Sequence, residues 1–451
     1  MKTNNPKIDT VILAAGMGTR MKSSKPKVLH ELLGKPMVEY ILEAVSDICQ
    51  ESPVVVVGSG AELVKEMLGD QARYVTQEPQ LGTAHAVKCT REILKGNSDL
   101  IVVANSDFPL ITKETYQALV NAHIKGTSPL TICTVVADDP REFGRIVRDP
   151  SGRVSGIVED KAATEEQKKI RELNSNPYCF DAEWLWQSLE KIHPSAVGEY
   201  YLTDLVKIAY EEGYSIGAYE IQDRDESIGI NNRVHLAEAA KALQKRINTK
   251  WMLEGVSFID PDKTYIEPSV KIGKDTILYP EVYLRGITAI GEGCELGPSV
   301  VIQDTSIGDR CRVIYAVLER AKLENDVDMG PFGHLRKGAH LDNHVHMGNF
   351  GEIKNSHLGQ GTKMGHFSYI GDAEIGENVN IGAGTVTCNF DGKGKFNTEI
   401  GDNAFIGSDT MLVAPVKIGR GAKTGAGAVV TEDVADDTIV VGVPAKPLRK
   451  K

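Results

Sequence analysis

A hydrophobic period of six residues dominates the C-terminal half of the chain. Aliphatic residues occupy every sixth position from Ile266 to Ile302, and the residues two places before them are small or β-branched. After single-residue skips and one longer insertion, the same spacing returns in the runs 323–353, 358–370, 375–381 and 400–418. Helices and ordinary strands do not have this period, because their side chains repeat about every 3.6 and 2 residues. A coil with three flat sides and one hexapeptide per side does, so the pattern predicts a parallel β-helix.

The N-terminal half has a different pattern, in which apolar strand-like runs alternate with helix-like segments. The strand-like runs cover 10–15, 53–57, 100–104 and 130–136, and the helix-like segments cover 37–48, 61–68 and 113–123. This alternation predicts an open, mostly parallel α/β sheet. Residues 233–253 contain no glycine or proline and predict one connecting helix. We therefore predict an α/β domain over 1–233, a helical linker over 234–254 and a β-helix domain over 255–451.

Composition narrows the possible functions. The chain has 451 residues and a formal net charge of −11, so we expect no binding to nucleic acid. No apolar run is long enough for a transmembrane helix, and the polar N-terminus leads directly into a strand, so we expect neither a membrane protein nor a secretory signal. Seven cysteines lie far apart without a Cys-x-x-Cys pair, which favours reduced thiols and a cytoplasmic protein.

A glycine turn follows the first predicted strand. The segment 13–21 reads Leu-Ala-Ala-Gly-Met-Gly-Thr-Arg-Met, and its backbone N–H groups are able to approach phosphate oxygens closely. It lacks both the third glycine of a dinucleotide fingerprint and the Gly-Lys-Ser/Thr of a P-loop. A tight turn without a ligand is the alternative. A second glycine turn at 80–84, the cations Arg20 and Lys27, and Asp107 at the end of an apolar strand favour a nucleotide site with a magnesium ligand.

Together these motifs resemble the sugar-phosphate nucleotidyltransferases and, more closely, the bifunctional GlmU family. Gly-x-Gly-Thr-Arg, Pro-Lys-Val-Leu and Asp-x-Pro-Leu follow each other in the order typical of that group. The resemblance implies a Rossmann-like mixed sheet that joins UMP from UTP to N-acetylglucosamine-1-phosphate. It assigns catalysis to Lys27 and Arg20, and Mg²⁺ binding to Asp107 and Asn231. The residues it assigns to UTP or the UDP-sugar are Leu13, Ala14, Ala15, Gly16, Lys27, Gln77, Gly82, Thr83, Asn105, Ser106, Asp107, Gly144, Glu159, Asn174 and Asn231.

Four residues of this half depart from the family pattern. Met17 stands where a lysine is frequent, Asn105 where an aromatic or similar residue is usual, and Ser106 and Asn176 where glycines are usual. Met17 removes one cation that would contact phosphate. Ser106 adds a side chain where the nucleotide is expected to lie close to the backbone.

An insertion in the repeat argues against a β-helix that is only a trimerisation stalk. Residues 388–397 interrupt the six-residue period with a polar, glycine-rich segment, which predicts a loop that leaves the coil. Such a loop on a rigid scaffold is a common frame for a binding cleft.

Six of the eleven histidines fall within 334–366. We expect no metal cluster, because His334, His340 and His346 precede inward residues at spacing six and should point outward from three different sides. His344 and His357 show no partner spacing. His366 is different, because it lies shortly before the glycine turn at 380–384, where a neutral imidazole can take a proton from an amine nucleophile.

The C-terminal half also resembles the GlmU family, in its acetyltransferase domain. The resemblance implies a left-handed β-helix that transfers an acetyl group from acetyl-CoA to glucosamine-1-phosphate, with His366 as general base. It assigns the sugar phosphate to Arg336, Lys354, Tyr369 and Asn380. It assigns acetyl-CoA to Ala383, Asn389, Phe390, Lys395, Ser408 and Ala426. Phe390 stands where tyrosine is usual, and Gly442 precedes Val443 and Pro444 where an arginine is expected. A contact with the CoA phosphate is therefore either missing or supplied by Lys446, Arg449 or another chain.

We therefore expect a bifunctional enzyme that synthesises UDP-N-acetylglucosamine. This sugar nucleotide is a precursor for cell-wall biogenesis. The flat coil faces predict a homotrimer with acetyl-transfer sites between neighbouring chains. Two alternatives remain: a single-activity nucleotidyltransferase with a structural or regulatory β-helix, and a non-enzymatic assembly subunit. Retention of the residues assigned to both sites disfavours each of them.

Overall fold

The computed structural model describes residues 6–195 and 198–448, and its contacts divide the chain into two compact units after Leu243. The first residues of the predicted polar N-terminus and Arg449 lie outside the described residues. Within the described part of the chain, no helix is long and apolar enough to cross a membrane.

The N-terminal unit is built on a twisted mixed sheet. Its strand order is Gly217–Glu220, Leu130–Val136, Glu172–Asp181, Leu100–Asn105, Ile8–Ala14, Val54–Val57, Arg73–Thr76. Neighbours on this path are parallel, except that Glu172–Asp181 is antiparallel to both of its partners. An antiparallel pair, Arg145–Arg148 and Val154–Val158, extends from the same strand. The predicted Rossmann-like mixed sheet is confirmed, and its parallel core brings the carboxyl ends of four strands to one edge.

Helices pack on both faces of this sheet and enclose two apolar cores. The predicted helices at 37–48, 61–68 and 113–123 are observed as Met37–Ser46, Ala61–Leu68 and Lys113–Lys125. The other α-helices of this unit are Thr83–Cys89, Arg91–Leu94, Glu165–Lys168, Ala182–Ser188 and Asp204–Glu211. Short 3₁₀ turns lie at Thr19–Met21, Lys27–Leu29, Gly69–Gln71, Asp160–Ala162, Leu189–Lys191 and Arg224–Ser227, and a small hairpin pairs Glu31–Leu32 with Lys35–Pro36.

The C-terminal unit is a parallel β-helix with three faces, as the six-residue period predicts. Face 1 contains Ser257–Phe258, Ile277–Leu278, Glu295–Leu296, Arg312–Val313, Asp328–Met329, His346–Met347, Lys363–Met364, Asn380–Ile381, Phe405–Ile406, Lys423–Thr424, Ile439–Val441 and the antiparallel Lys446–Pro447. Face 2 contains Thr264–Ile266, Val282–Arg285, Val300–Gln303, Val317–Glu319, His334–Leu335, Gly351–Lys354, Ser368–Gly371, Val386–Cys388, Met411–Val413 and Val429–Val430. Face 3 contains Lys271–Ile272, Ala289–Ile290, Ser306–Ile307, Lys322–Leu323, Ala339–Leu341, Ser356–Leu358, Ala373–Ile375, Thr398–Ile400 and Val416–Ile418.

The periodic residues fill the inside of the coil. Leu278, Leu335 and Leu341, which come from faces 1, 2 and 3 in that order, are completely buried, and the whole series belongs to one continuous apolar core. Cys294 and Cys311 also point inward and donate their thiol hydrogens to backbone carbonyls, which confirms them as packing residues. The coil continues past the end of the predicted repeat at 434, because Ile439–Val441 adds another strand to face 1.

The helix Arg233–Leu253 has the bounds that the sequence predicts, and the division between the two units falls inside it. Its C-terminal half belongs to the β-helix unit, where Gln244 and Asn248 donate side-chain hydrogen bonds to the Thr264 carbonyl at 2.8 and 3.0 Å. Trp251 packs into the start of the coil core. This half of the helix therefore covers the open end of the first coil, an edge that would otherwise expose unpaired backbone groups.

Candidate active sites

The first glycine turn lies at the carboxyl edge of the parallel strands, where open α/β sheets bind their ligands. Gly18 has a left-handed backbone (φ +60°), and a Cβ atom there would come within 2.6 Å of the Lys27 Cβ. Glycine at this position therefore allows Lys27 to pack directly against the turn. Met17 is 69% exposed and points away from this packing.

The second glycine turn is held against the first by Gln80, which was not assigned to the site from the sequence, and is braced internally by the predicted residue Gln77. The Gln80 amide donates to the Ala15 carbonyl at 2.5 Å, and the buried Gln77 donates to the Gly82 carbonyl at 2.9 Å. A Cβ atom on Gly82 would come within 2.6 Å of the Tyr200 carbonyl oxygen, so the backbone of 200 closes this turn. Thr83 then accepts a hydrogen bond from the Leu202 N–H at 2.9 Å.

Lys27 joins the two predicted magnesium ligands. Its Nζ lies 3.0 Å from Asp107 Oδ2 and 3.0 Å from Asn231 Oδ1, although these residues are 80 and 204 positions away in the sequence. The Asp107 and Lys27 side chains are only 26% and 13% exposed. The other oxygen, Asp107 Oδ1, is buried and has no hydrogen-bond partner among the described residues. Oxygen donors from a carboxylate and an amide suit Mg²⁺, and a cation already lies between them, so the residues fit this metal.

The two residues that precede Asp107, Asn105 and Ser106, have different surroundings. Ser106 donates its hydroxyl to the Leu13 carbonyl on the adjacent strand at 2.6 Å and is almost completely buried. The side chain that Ser106 has in place of the usual glycine is thus directed towards the sheet. Asn105 Oδ1 is buried and, within the described residues, unpartnered. Leu13 and Asn105 are register partners, which places the glycine turn and Asp107 at the same sheet edge.

The predicted sugar-binding residues cluster around the strand Glu172–Asp181. The Asn174 N–H donates to the Gly144 carbonyl at 2.8 Å, and its side-chain amide donates to the Tyr178 hydroxyl at 2.7 Å. Asn174 Oδ1 is another buried oxygen that lacks a partner in the described part of the chain. Glu159 accepts a hydrogen bond from Thr203 at 3.0 Å, and burial raises the pKa of its carboxyl group. Asn176, the departure from the family pattern, has a left-handed backbone at the bulge of this strand.

Arg20 lies at the rim and forms an ion pair with Glu142. Both side chains are more than half exposed, at 56% and 65%. Arg20 is therefore more exposed than Lys27, and its ion pair in this structure is with Glu142 and not with Asp107.

The C-terminal site is divided between two corners of the coil. His366 is exposed at the corner between faces 1 and 2, and Ala383, Ser408 and Ala426 occupy the same corner position in the next three coils. The coils are linked there by hydrogen bonds to the carbonyls of Phe367, Ala383 and Ser408 at 2.7, 2.6 and 2.8 Å. At about 4.8 Å per coil, this column spans about 14 Å. Three of the six predicted acetyl-CoA residues, Ala383, Ser408 and Ala426, thus form a column of small residues that begins beside the predicted base.

The predicted phosphate-binding cations lie at the other end of face 2. Arg336 and Lys354 follow the register partners Leu335 and Ile353 on adjacent coils. Arg336 donates to Glu352, a residue that the sequence did not single out, at 2.8 Å. The Lys395 ammonium beside Lys354, and then Arg336, lower the pKa of Lys354. Three cations crowded together indicate a place for an anion such as a phosphate group.

Residues 388–397 form the predicted loop, and the coil anchors its base. Asp372 accepts hydrogen bonds from the Asn389 amide at 2.5 Å and the Asn355 amide at 2.6 Å. A methyl group on Gly371 would clash with both the Tyr369 hydroxyl and Asn389, so these two side chains lie close together. Phe390 pairs with Lys395 and is 62% exposed. Lys395, predicted for acetyl-CoA, is therefore placed by this loop beside Lys354.

Two other predicted residues have distinct surroundings. Asn380 is exposed on face 1, where it pairs with Lys363 and Phe405 in adjacent coils. Lys446 lies 3.7 Å from Glu432 near the end of the described chain.

Known proteins are similar to this chain in both the α/β unit and the β-helix. The chain matches the family model of nucleotidyl transferases over residues 9–252 and that of the bacterial transferase hexapeptide (six repeats) over 397–432. It is 47% identical over 432 residues to the bifunctional protein GlmU of Geobacillus sp. (strain WCH70), covering 96% of this chain and 94% of the relative. The chain belongs to the GlmU family. The bifunctional protein GlmU of Listeria innocua serovar 6a is 45% identical over 430 residues, with 95% and 94% of the two chains covered.

Membership of the GlmU family confirms the predicted enzyme class. GlmU enzymes are bifunctional transferases of UDP-N-acetylglucosamine synthesis, and both domain types are present in this chain. The relatives extend across the α/β unit and the β-helix together, which disfavours a single-activity nucleotidyltransferase and an assembly subunit alike.

Proposed function

We propose that this chain performs two consecutive steps through the residues described above. The β-helix acetylates glucosamine-1-phosphate with acetyl-CoA, and the α/β unit joins the product to UMP from UTP and releases pyrophosphate. The observation that carries the proposal is the convergence of Lys27, Asp107 and Asn231 from three distant parts of the sequence. A non-enzymatic scaffold would not require a lysine, a carboxylate and an amide to be clustered at the ligand-binding edge of its sheet.

In the uridyl-transfer step, an oxygen of the sugar phosphate attacks the α-phosphorus of UTP, and pyrophosphate leaves. The backbone of the glycine turn and the ammonium of Lys27 would orient the triphosphate and offset its charge, with Arg20 closing from the rim. Asp107 and Asn231 would hold Mg²⁺, which supplies further charge neutralisation when bound. Gly144, Glu159 and Asn174 would position the sugar.

In the acetyl-transfer step, the amine of glucosamine-1-phosphate attacks the thioester carbonyl of acetyl-CoA. A carbon–nitrogen bond forms and the carbon–sulfur bond breaks, while His366 takes a proton from the amine and passes one to the departing thiolate. Arg336 and Lys354 would hold the sugar phosphate, and Asn389, Phe390 and Lys395 of the loop at 388–397 would contact acetyl-CoA. The column of Ala383, Ser408 and Ala426 would allow the extended arm of CoA to lie close to the backbone.

We also propose that the acetyl-transfer site is shared between chains of a homotrimer. Asn380 projects from face 1, whereas Lys354 and Tyr369 project from face 2. Side chains on different faces of one coil diverge, so one sugar phosphate is better gripped if a neighbouring chain supplies part of the set. Exposed aromatic rings of Tyr315, Phe332, Phe350 and Phe367, here called the aromatic ridge, run along the corner of His366 and offer an apolar contact surface. The free state of all seven cysteines supports a cytoplasmic location.

Two substitutions separate the half-reactions. His366→Ala should lower acetyl transfer by about 10²–10⁴-fold, the range for loss of a general base, and leave uridyl transfer unchanged. Asp107→Ala should do the reverse. Each half-reaction is measured separately, with glucosamine-1-phosphate and acetyl-CoA or with N-acetylglucosamine-1-phosphate and UTP.

His346→Ala provides the matched control, since His346 is another exposed histidine of the coil and contacts Asp328 at 2.8 Å. It should retain both activities. Full acetyl transfer by His366→Ala would exclude the assignment of the base, and equal loss of both activities in either variant would indicate misfolding.

A further inference from the structure

Face 3 carries a pair of stacked histidines that neither proposed reaction uses. His340 and His357 are register partners on adjacent coils, with ring centroids 4.9 Å apart. Asp342 lies at the end of the same strand, with Oδ2 3.0 Å from His357 Nε2 and Oδ1 3.5 Å from His340 Nε2. One potential ligand atom from each of these residues lies within 4.8 Å of the others. The sequence spacing gave no partner for His357, but the structure does. His340 stacks on it from the adjacent coil, a separation that the six-residue spacing does not reveal.

The geometry of His357 indicates an unfilled role for its Nε2 atom. This nitrogen is buried, and although Asp342 is 3.0 Å away, the carboxylate does not lie where it could form a proper hydrogen bond with the ring. The other ring nitrogen, Nδ1, is 3.4 Å from Glu374 Oε2 on the next coil. A carboxylate near the outer nitrogen is the usual way in which proteins orient a metal-binding imidazole.

A further oxygen donor completes the cluster. Glu324, on the preceding coil, places Oε1 2.9 Å from His340 Nε2, and Lys322 lies 2.5 Å from the same Glu324 oxygen. The donor set is thus two imidazole nitrogens with one or two carboxylate oxygens. Zinc commonly takes nitrogen and carboxylate ligands in a four-coordinate arrangement. The three central side chains are 29–37% exposed, which leaves room for ion entry and for a coordinated water molecule.

We propose that face 3 binds one divalent transition-metal ion, with Zn²⁺ as its representative, through His340, His357 and Asp342. The ion would link two consecutive coils from outside, because its ligands come from both. The other surface histidines lack this arrangement: among the described residues, His334 and His346 each face carboxylates without a second imidazole stacked beside them.

The test is a Zn²⁺ titration of the full chain after removal of metal with a chelator, followed by calorimetry. Excess Mg²⁺ is present throughout, so that the proposed magnesium site does not contribute. We expect one ion per chain and at least a tenfold loss of affinity in His340→Gln and in His357→Gln. The control variant His346→Gln should bind as the wild type does.

X-ray absorption at the zinc edge gives a second readout and should show two imidazole ligands in the wild type. Melting curves in chelator verify that the variants are folded. The proposal is overturned if the wild type does not bind Zn²⁺, or if the double variant His340→Gln/His357→Gln binds it with unchanged affinity. These results leave the two proposed transfer reactions untouched, because none of these residues is assigned to them.

Discussion

At the scale of single residues, the nucleotide site stands out by what its buried oxygens lack. Asn105, Asp107 and Asn174 each contain a buried oxygen for which the described residues supply no partner. A buried acceptor left unpaired costs about 1–3 kcal/mol, so three of them in one region indicate positions that a ligand fills. The residue types and their order were predictable from sequence. The direction of Ser106 was not, because it depends on the Leu13 carbonyl of a strand about 90 residues earlier.

Glu159, which we propose to bind the sugar, also affects the stability of the α/β unit through its burial. Burial raises the pKa of Glu159 in the folded state, so folding favours its protonated form. Stability from this group is therefore fully present below its unfolded pKa, about 4.3, and declines as the pH rises through the folded value. Glu159→Gln should raise the melting temperature of the α/β unit at pH 7.5 by about 2–4 °C for each 1 kcal/mol of relieved cost. It should also raise the KM for the sugar phosphate.

The measurement is a set of thermal melts between pH 4 and pH 8. The gap between Glu159→Gln and the wild type should widen with rising pH. A gap that is constant across this range would mean that the carboxylate is not destabilised by burial. Glu66→Gln, which changes an exposed carboxylate on the helix Ala61–Leu68 of the same unit, serves as the control.

At the scale of elements, the loop at 388–397 is attached to the coil by hydrogen bonds to Asp372. Asp372 has a left-handed backbone at the corner between faces 2 and 3, and it holds both Asn355 and Asn389. The loop at 388–397 carries Lys395, which is predicted to bind acetyl-CoA, to a position beside Lys354, so its attachment determines where this cation lies.

Asp372→Asn should loosen this loop without disturbing the coil. Asparagine tolerates the same backbone conformation, but it has only one acceptor oxygen for two amide donors. Loss of one such hydrogen bond, about 1 kcal/mol, should raise the KM for acetyl-CoA about fivefold and leave uridyl transfer unchanged. Steady-state kinetics of each half-reaction provide the comparison.

Asp304→Asn is the matched control, since Asp304 occupies the equivalent corner with a similar left-handed backbone and accepts a hydrogen bond from the Ile287 N–H. It should change neither KM. An unaltered KM for acetyl-CoA in Asp372→Asn would show that the loop does not depend on this anchor.

The coil also shows how far a repeat can be read from sequence. Inward positions such as Leu278 and Leu335 were predictable, because one type of residue fills them throughout. It was not predictable which outward-facing residues are neighbours on adjacent coils. That depends on the number of residues per coil, and each skip in the repeat changes this number. His340 and His357 are 17 positions apart, and only the observed register shows that they stack.

At the scale of the whole molecule, the aromatic ridge is the surface that a homotrimer would cover. Its rings are 42–59% exposed, and the Phe332 and Phe350 rings stack 5.1 Å apart. Tyr315, Phe332 and Phe350 all have left-handed backbones, which are costly for bulky residues. Rings kept outside the core at that cost are consistent with a contact between chains.

Phe332→Asp combined with Phe350→Asp should dissociate the proposed trimer, because it would place carboxylates in the proposed apolar contact. Acetyl transfer should fall with the loss of shared sites, whereas uridyl transfer should persist. Sedimentation velocity gives the oligomeric state, and Ile287→Asp, an exposed aliphatic on another corner, is the control. A monomer with full acetyl transfer would refute the shared site, and an intact trimer would refute the ridge as the contact.

The cover over the first coil has a consequence for how such chains are assembled and exchanged in evolution. Gln244, Asn248 and Trp251 belong to the helix that joins the units, yet they close the β-helix. A gene fusion placed at the apparent end of that helix, near 254, would deliver a coil with an open edge prone to stacking. A junction upstream of 244 delivers a coil that is already closed. The transferable module is therefore longer than its repeat, and different catalytic domains can be joined to it without rebuilding that end.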